Sequence, residues 1–168
     1  MHKVITPENE ITHGQKFLLD LMEQRKLAEF ARSSDINRSM IEPRYLFSSL
    51  FHIGVGQVKY PTLKLIYLLR RHINPAAWFY VLNEELPEFK VKLNSPEDNF
   101  CIEKTINWQK LSKMYQEKKL FNWCKEKNIN YVPFSHLFNG HYGLSTLKIK
   151  QLKNYFDPAG WFIYCDEI

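Results

Sequence analysis

The chain has 168 residues, of which 45% are apolar and 24% charged, a balance that supports a buried core and excludes disorder over most of its length. Six glycines are too few for a sandwich or barrel built on tight turns, and no apolar run nears the ~20 residues of a membrane-crossing helix. The net charge of +5 is unevenly spread: residues 13–82 hold ten Lys/Arg against five Asp/Glu, residues 107–154 hold nine Lys against two Glu, and residues 83–106 hold six acids against three bases.

Residues 1–10 lack the apolar stretch of a secretory leader. Cys101, Cys124 and Cys165 form no CxxC pair, a sparse and odd set that suits a reducing compartment. The expected location is therefore cytoplasmic.

Residues 13–82 read as a first helical unit. Phe17, Leu18, Leu21 and Met22 mark one helix face, and Leu27, Phe30 and Ala31 a second. A turn at Asp35-Ile36-Asn37 leads into a further helix beginning at Arg38. Pro61-Thr62 starts another, with Leu63, Ile66, Tyr67 and Leu69 facing inward. Asn74-Pro75 stops it, because a residue before proline is pushed out of helical geometry, and Ala76-Ala77-Trp78-Phe79 then sets an indole on the core. In the acidic connector, residues 83–106, Glu88 to Leu93 alternates with period two. Residues 94–99 are dense in turn formers, and Phe100 to Lys104 reads as a returning strand, so a β-hairpin is expected.

The second unit, residues 107–168, repeats the first. A shift of 93 brings Leu18, Lys26-Leu27, Phe30-Ala31 and Ile36-Asn37 onto Leu111, Lys119-Leu120, Trp123-Cys124 and Ile129-Asn130. Ten residues fewer separate these features from the end of the unit, where Asn74-Pro75-Ala76-Ala77-Trp78-Phe79 is matched by Asp157-Pro158-Ala159-Gly160-Trp161-Phe162. Ser145 is a plausible N-cap for a helix carrying Leu147, Ile149 and Leu152 inward. The expected fold is mainly α: two helix-turn-helix bundles of four to five helices each, joined by a β-hairpin.

Between the helices of the second unit runs Ile129-Asn130-Tyr131-Val132-Pro133-Phe134-Ser135-His136-Leu137-Phe138-Asn139-Gly140. This stretch, with its surroundings from Lys119 to Phe162, resembles the helix-turn-helix of Cro/repressor-type regulators, those of the xenobiotic-response-element type. Asp35 and Asn128 stand where such turns usually carry glycine, and both residue types tolerate left-handed geometry. The leading helix is about one turn longer than usual, the glutamines often found at the start of such helices are missing, and Pro133 fits only a first turn.

The resemblance implies sequence-specific binding of double-stranded DNA by a transcriptional regulator, such as a repressor, with both units reading. A helix fits the major groove, where base edges are distinct. The candidate readers are Arg38, Ser39, Glu42, Arg44, Tyr45 and Ser48 in the first unit, and Tyr131, Ser135, His136 and Asn139 in the second. Lys59, Lys64, His141, Tyr142, Lys148 and Lys150 would hold phosphates. A homodimer would double the number of reading helices.

No catalytic constellation, phosphate-binding glycine loop or metal set is evident in the sequence, so neither an enzyme nor a cofactor is expected, and no small-molecule ligand is evident. The alternative is a protein-interaction module or inhibitor on the same scaffold, favoured by Tyr45, Phe47, Phe51, Tyr131 and Phe134 near the reading surface.

Overall fold

The computed structural model describes residues 11–42, 61–97, 99–140 and 143–168. It divides into two compact units, Met1–Phe100 and Cys101–Ile168. Among the described residues the regular structure is helical: α1 (His13–Glu23), α2 (Leu27–Ser33) and α3 (Leu63–Leu69) in the first unit, then α4 (Ile106–Gln116), α5 (Leu120–Glu126), α6 (Val132–Phe138) and α7 (Thr146–Gln151) in the second.

The helix starts follow from local chemistry. Before α1, the Thr12 hydroxyl accepts from the Gln15 amide at 3.2 Å and the Gln15 side chain accepts from the Thr12 amide at 3.0 Å, which satisfies two otherwise orphan donors. Thr62, Thr105 and Ser145 cap α3, α4 and α7 in the same hydroxyl-to-backbone manner.

The helix ends are equally local. Arg25, Asp35, Lys118 and Asn128 adopt left-handed φ values of 54° to 58° directly after α1, α2, α4 and α5. The next residue then donates back to the last turn: Lys26 to the Leu21 carbonyl, Ile36 to Ala31, Lys119 to Met114 and Ile129 to Cys124, at 2.8–2.9 Å.

Each unit is closed by a return of its own chain. Asn74 and Asp157 cap single 3-10 turns, Pro75–Trp78 and Pro158–Trp161, which sink Trp78 and Trp161 completely into their cores. The chain then pairs with the start of the leading helix through single bridges, Thr12 with Val81 and Thr105 with Tyr164. Leu18, Leu27, Ala31, Ile36, Ile66 and Leu69 are buried in the same unit as Trp78. Leu111, Leu120, Cys124, Phe134, Ile149 and Leu152 are buried in the same unit as Trp161.

The expected β-hairpin does not form: no strand occurs among the described residues of 83–106. The alternation of Glu88 to Leu93 is real, but side chains of the first unit bond the backbone on either side of it and hold the segment extended along that unit. Asn74 donates to the Pro87 carbonyl at 2.9 Å, Arg70 to the Asn94 carbonyl at 3.3 Å, and the Glu97 amide to the Tyr67 hydroxyl at 2.8 Å. Arg71 adds a bond to the Ser95 hydroxyl at 2.9 Å. Pro87 and Pro96 have no N–H to offer a ladder. The segment expected to return instead makes a 3-10 turn at Ile102–Lys104. Two apolar residues expected to face inward are also displaced: Phe17 is 37% exposed and Leu147 57%.

The two cores solve one packing problem in opposite ways. A Cβ on Gly14 would lie 2.6 Å from the Trp78 indole, so the leading helix of the first unit must carry glycine there. The matching residue of the second unit is Asn107, whose buried amide donates to the Asp157 carbonyl at 2.7 Å and fills the space above Gly160, where the first unit has Ala77. Gly160→Ala is expected to destabilise the second unit by about 2 kcal/mol through overpacking against Asn107. Asn107→Gly added to it should restore part of that loss. Urea denaturation of the single and double variants checks this coupling.

Candidate nucleic-acid interface

The left-handed Asn128 turns the chain between α5 and α6. The Asn130 side chain then accepts from the Val132 amide at 3.1 Å and starts α6. Pro133 sits in the first turn, where its missing N–H costs nothing. Phe134 and Leu137 anchor α6 in the core. Phe138 stacks on Tyr115 with ring centroids 4.5 Å apart and meets Trp108 at 5.3 Å, fixing the helix against α4.

Three sequence-predicted readers of the second unit, Tyr131, Ser135 and Asn139, therefore fall at four-residue spacing along one side of α6, while His136 turns toward the hollow between α6 and α7. Ser135 and His136 are half-buried on α6 and Asn139 is exposed at its end. Tyr131 precedes the helix, its ring edge against Phe121 at 5.3 Å. Asn139 donates to the Ser135 hydroxyl at 3.3 Å and accepts from the Tyr115 hydroxyl at 3.5 Å. These bonds are long and solvent-exposed, so an incoming partner can replace them at little cost.

Among the predicted phosphate contacts, Lys148 and Lys150 are both half-buried on α7. The Lys148 ammonium lies 5.6 Å from the centre of the Phe134 ring. Lys118, which the sequence reading did not select, lines a hollow with Tyr115, Phe121 and Tyr131. The basic charge of this unit is divided, because Lys110, Lys113 and Lys127 line a different hollow with Trp123, Tyr155 and Phe156.

In the first unit, Arg38 and Ser39 lie in a single 3-10 turn, Arg38–Met40, rather than in the continuous helix expected to begin there. Asn37 causes this tight start by accepting both the amide and the hydroxyl of Ser39, at 3.0 and 2.8 Å. Exposed Arg38 approaches half-buried Glu42 at 3.8 Å, a long contact of little energetic weight. Lys64 is exposed on α3 and lines a hollow with the Ser33–Ile36 turn and Arg71. Arg44, Tyr45, Ser48, Lys59, His141 and Tyr142 lie outside the described residues, as do Phe47 and Phe51.

Sequence reasoning placed Tyr131 and Phe134 near the reading surface but did not single out three exposed apolar residues of this unit. Phe121 and Val132 are 56% and 55% exposed, and Leu147 joins them as an exposed large side chain. Their counterparts in the first unit are Ala28, Ser39 and Lys64, so aligning the two halves position by position is the signal that finds them. Among the described residues no helix is long and apolar enough to cross a membrane, and no three His, Cys, Asp or Glu side chains group as metal ligands.

No protein-family model matches the chain, and no curated protein or solved structure matches it significantly.

The turns make a direct prediction. A non-glycine residue in left-handed geometry costs roughly 1–2 kcal/mol, whereas the extra unfolded-state freedom of glycine costs roughly 0.5–1 kcal/mol. Lys118→Gly is therefore expected to stabilise the second unit by about 0.5–1 kcal/mol, read as a higher urea midpoint.

Burial raises the pKa of the Cys124 thiol, with the Lys148 charge a smaller opposing influence. Native Cys124 should thus react with a disulfide reagent only on unfolding, while exposed Cys165 reacts at once. The folded chain holds this proton more tightly than the unfolded one, so stability should erode as pH rises above about 8.5.

Proposed function

We propose that the chain binds double-stranded DNA as a transcriptional regulator, the second unit presenting α6 to the major groove. The observation that carries this reading is the ridge Tyr131, Ser135 and Asn139, with His136 beside it at the mouth of the α6–α7 hollow. It stands on a helix anchored by Phe134, Leu137 and Phe138 and has no acidic residue in its own sequence. Asn139 has the amide geometry that pairs with adenine. Lys118 and Lys148 flank the ridge and would meet phosphates. The resemblance of Lys119 to Phe162 to Cro/repressor-type regulators supports the same reading. Arg38, Ser39 and Lys64 give the first unit a polar counterpart of this face.

Fluorescence anisotropy on random duplex tests this. Affinity should fall steeply as salt rises, because each neutralised phosphate releases a counterion. Lys118→Ala should lower the slope of log K against log salt by about 1. Asn139→Ala should relax base preference in a selection from random DNA while leaving that slope unchanged. Absence of binding at low salt would overturn the proposal.

A second reading is favoured by one specific observation, the exposed Phe121, Val132 and Leu147. Large apolar side chains on a reading face are typical anchors of protein interfaces. On that reading the chain is a protein-interaction module or inhibitor. A nuclease-treated pull-down that recovers one stoichiometric protein, lost on Val132→Asp, would replace the DNA reading.

A further inference from the structure

The second unit contains a cavity whose interior the DNA reading leaves empty, although His136 and Lys148 of that reading stand in its lining. About 290 Å³ in volume, it lies between α6 and α7. Val132, Pro133, Phe134, Leu137 and Leu144 form its apolar walls. His136 and Lys148 line it as well, and among the described residues no carboxylate does. Ligand sites commonly span roughly 300–1,000 Å³, so this one has room for only a small molecule.

The repeat shows why Lys148 is unusual. The offset that carries Asn74-Pro75 onto Asp157-Pro158 carries Leu65 onto Lys148 and Ile66 onto Ile149. Leu65 is a buried core leucine, and Ile66 and Ile149 are both fully buried. The same helix position therefore holds a methyl-rich plug in one unit and a half-buried cation in the other. Phe134 occupies the place of Ile41, and both are buried, so the wall behind that position is kept apolar. The Lys148 stem is partly covered, and its ammonium lies 5.6 Å from the Phe134 ring in the cavity lining, where a ligand charge can meet it. The influence of Lys148 on the buried Cys124 thiol agrees with its charge lying close to the core.

We infer that the α6–α7 cavity binds a small amphipathic anion, an apolar ring or short alkyl chain bearing one carboxylate, with the carboxylate meeting Lys148. The apolar body would lie against Phe134 and Leu137 in the space that Leu65 fills in the sister unit. The binding is independent of any nucleic acid. If α6 also reads DNA, the ligand would sit behind the reading helix and brace it against α7.

Benzoate and its neutral analogue benzamide test this by saturation-transfer NMR on the intact chain without DNA. Benzoate should bind about tenfold more tightly than benzamide. Lys148→Met, which keeps the length and removes the charge, should abolish that preference, and Lys148→Arg should keep it. Lys148→Leu, which installs the residue of the sister unit, should close the cavity and weaken both probes. Because leucine suits this position in the first unit, the Lys148→Leu chain should melt no lower than the parent. Failure of benzoate to bind, equal affinity for the two probes, or an intact preference in Lys148→Met would each overturn the inference. None of these outcomes bears on duplex binding, so the two proposals fail separately.

Discussion

Four residues turned left-handed set the geometry from which the rest follows. Arg25, Asp35, Lys118 and Asn128 each accept a backbone conformation that side-chain-bearing residues avoid, and each is repaid by a tight bond from the following amide to the preceding helix. These turns fix the angle between consecutive helices before any tertiary contact is made. With α5 docked through Leu120 and Cys124, the Asn128 turn leaves α6 one course: its Phe134–Leu137 edge goes inward and its Ser135–Asn139 edge outward. The candidate interface is thus a product of local backbone chemistry, with the core holding it in place.

Much of this architecture was readable because it is encoded locally and encoded twice. Capping hydroxyls, Asx-Pro stops, the Asp35 and Asn128 turns and the buried tryptophans all recur at matched positions, and a signal seen twice separates readily from chance. The connector failed for the opposite reason. Its alternating pattern is a strand pattern, but whether an extended segment becomes a strand depends on what pairs with its backbone. Here Asn74, Arg70 and Tyr67, distant in sequence, supply the partners. Leu147 and Phe17 misled in the same way, since an apolar residue in an amphipathic helix is read as core by default.

Comparison of the halves separates what the scaffold requires from what each copy has made its own. Ile66 and Ile149, Leu69 and Leu152, and Trp78 and Trp161 remain buried in both units. Ser39 and Val132, and Lys64 and Leu147, differ in kind on the surface, and buried Leu65 is replaced by half-buried Lys148. The outer face of the second unit is the more apolar and is backed by a cavity with a cation in its lining. That of the first, where described, is mixed, with Arg38, Ser39 and Lys64 beside an exposed Met40. Matching backbones thus carry different surface chemistries.

The opposed fillings beside Trp78 and Trp161 also have a hereditary consequence. Copies that resemble each other within one gene are open to recombination and gradual homogenisation. Here an exchange that carried Asn107 into the place of Gly14 would drive an amide into the Trp78 indole, and one that carried Ala77 into the place of Gly160 would strike Asn107. Crossovers that sever either pair would give chains with a damaged core, so selection would hold the two halves on separate evolutionary paths.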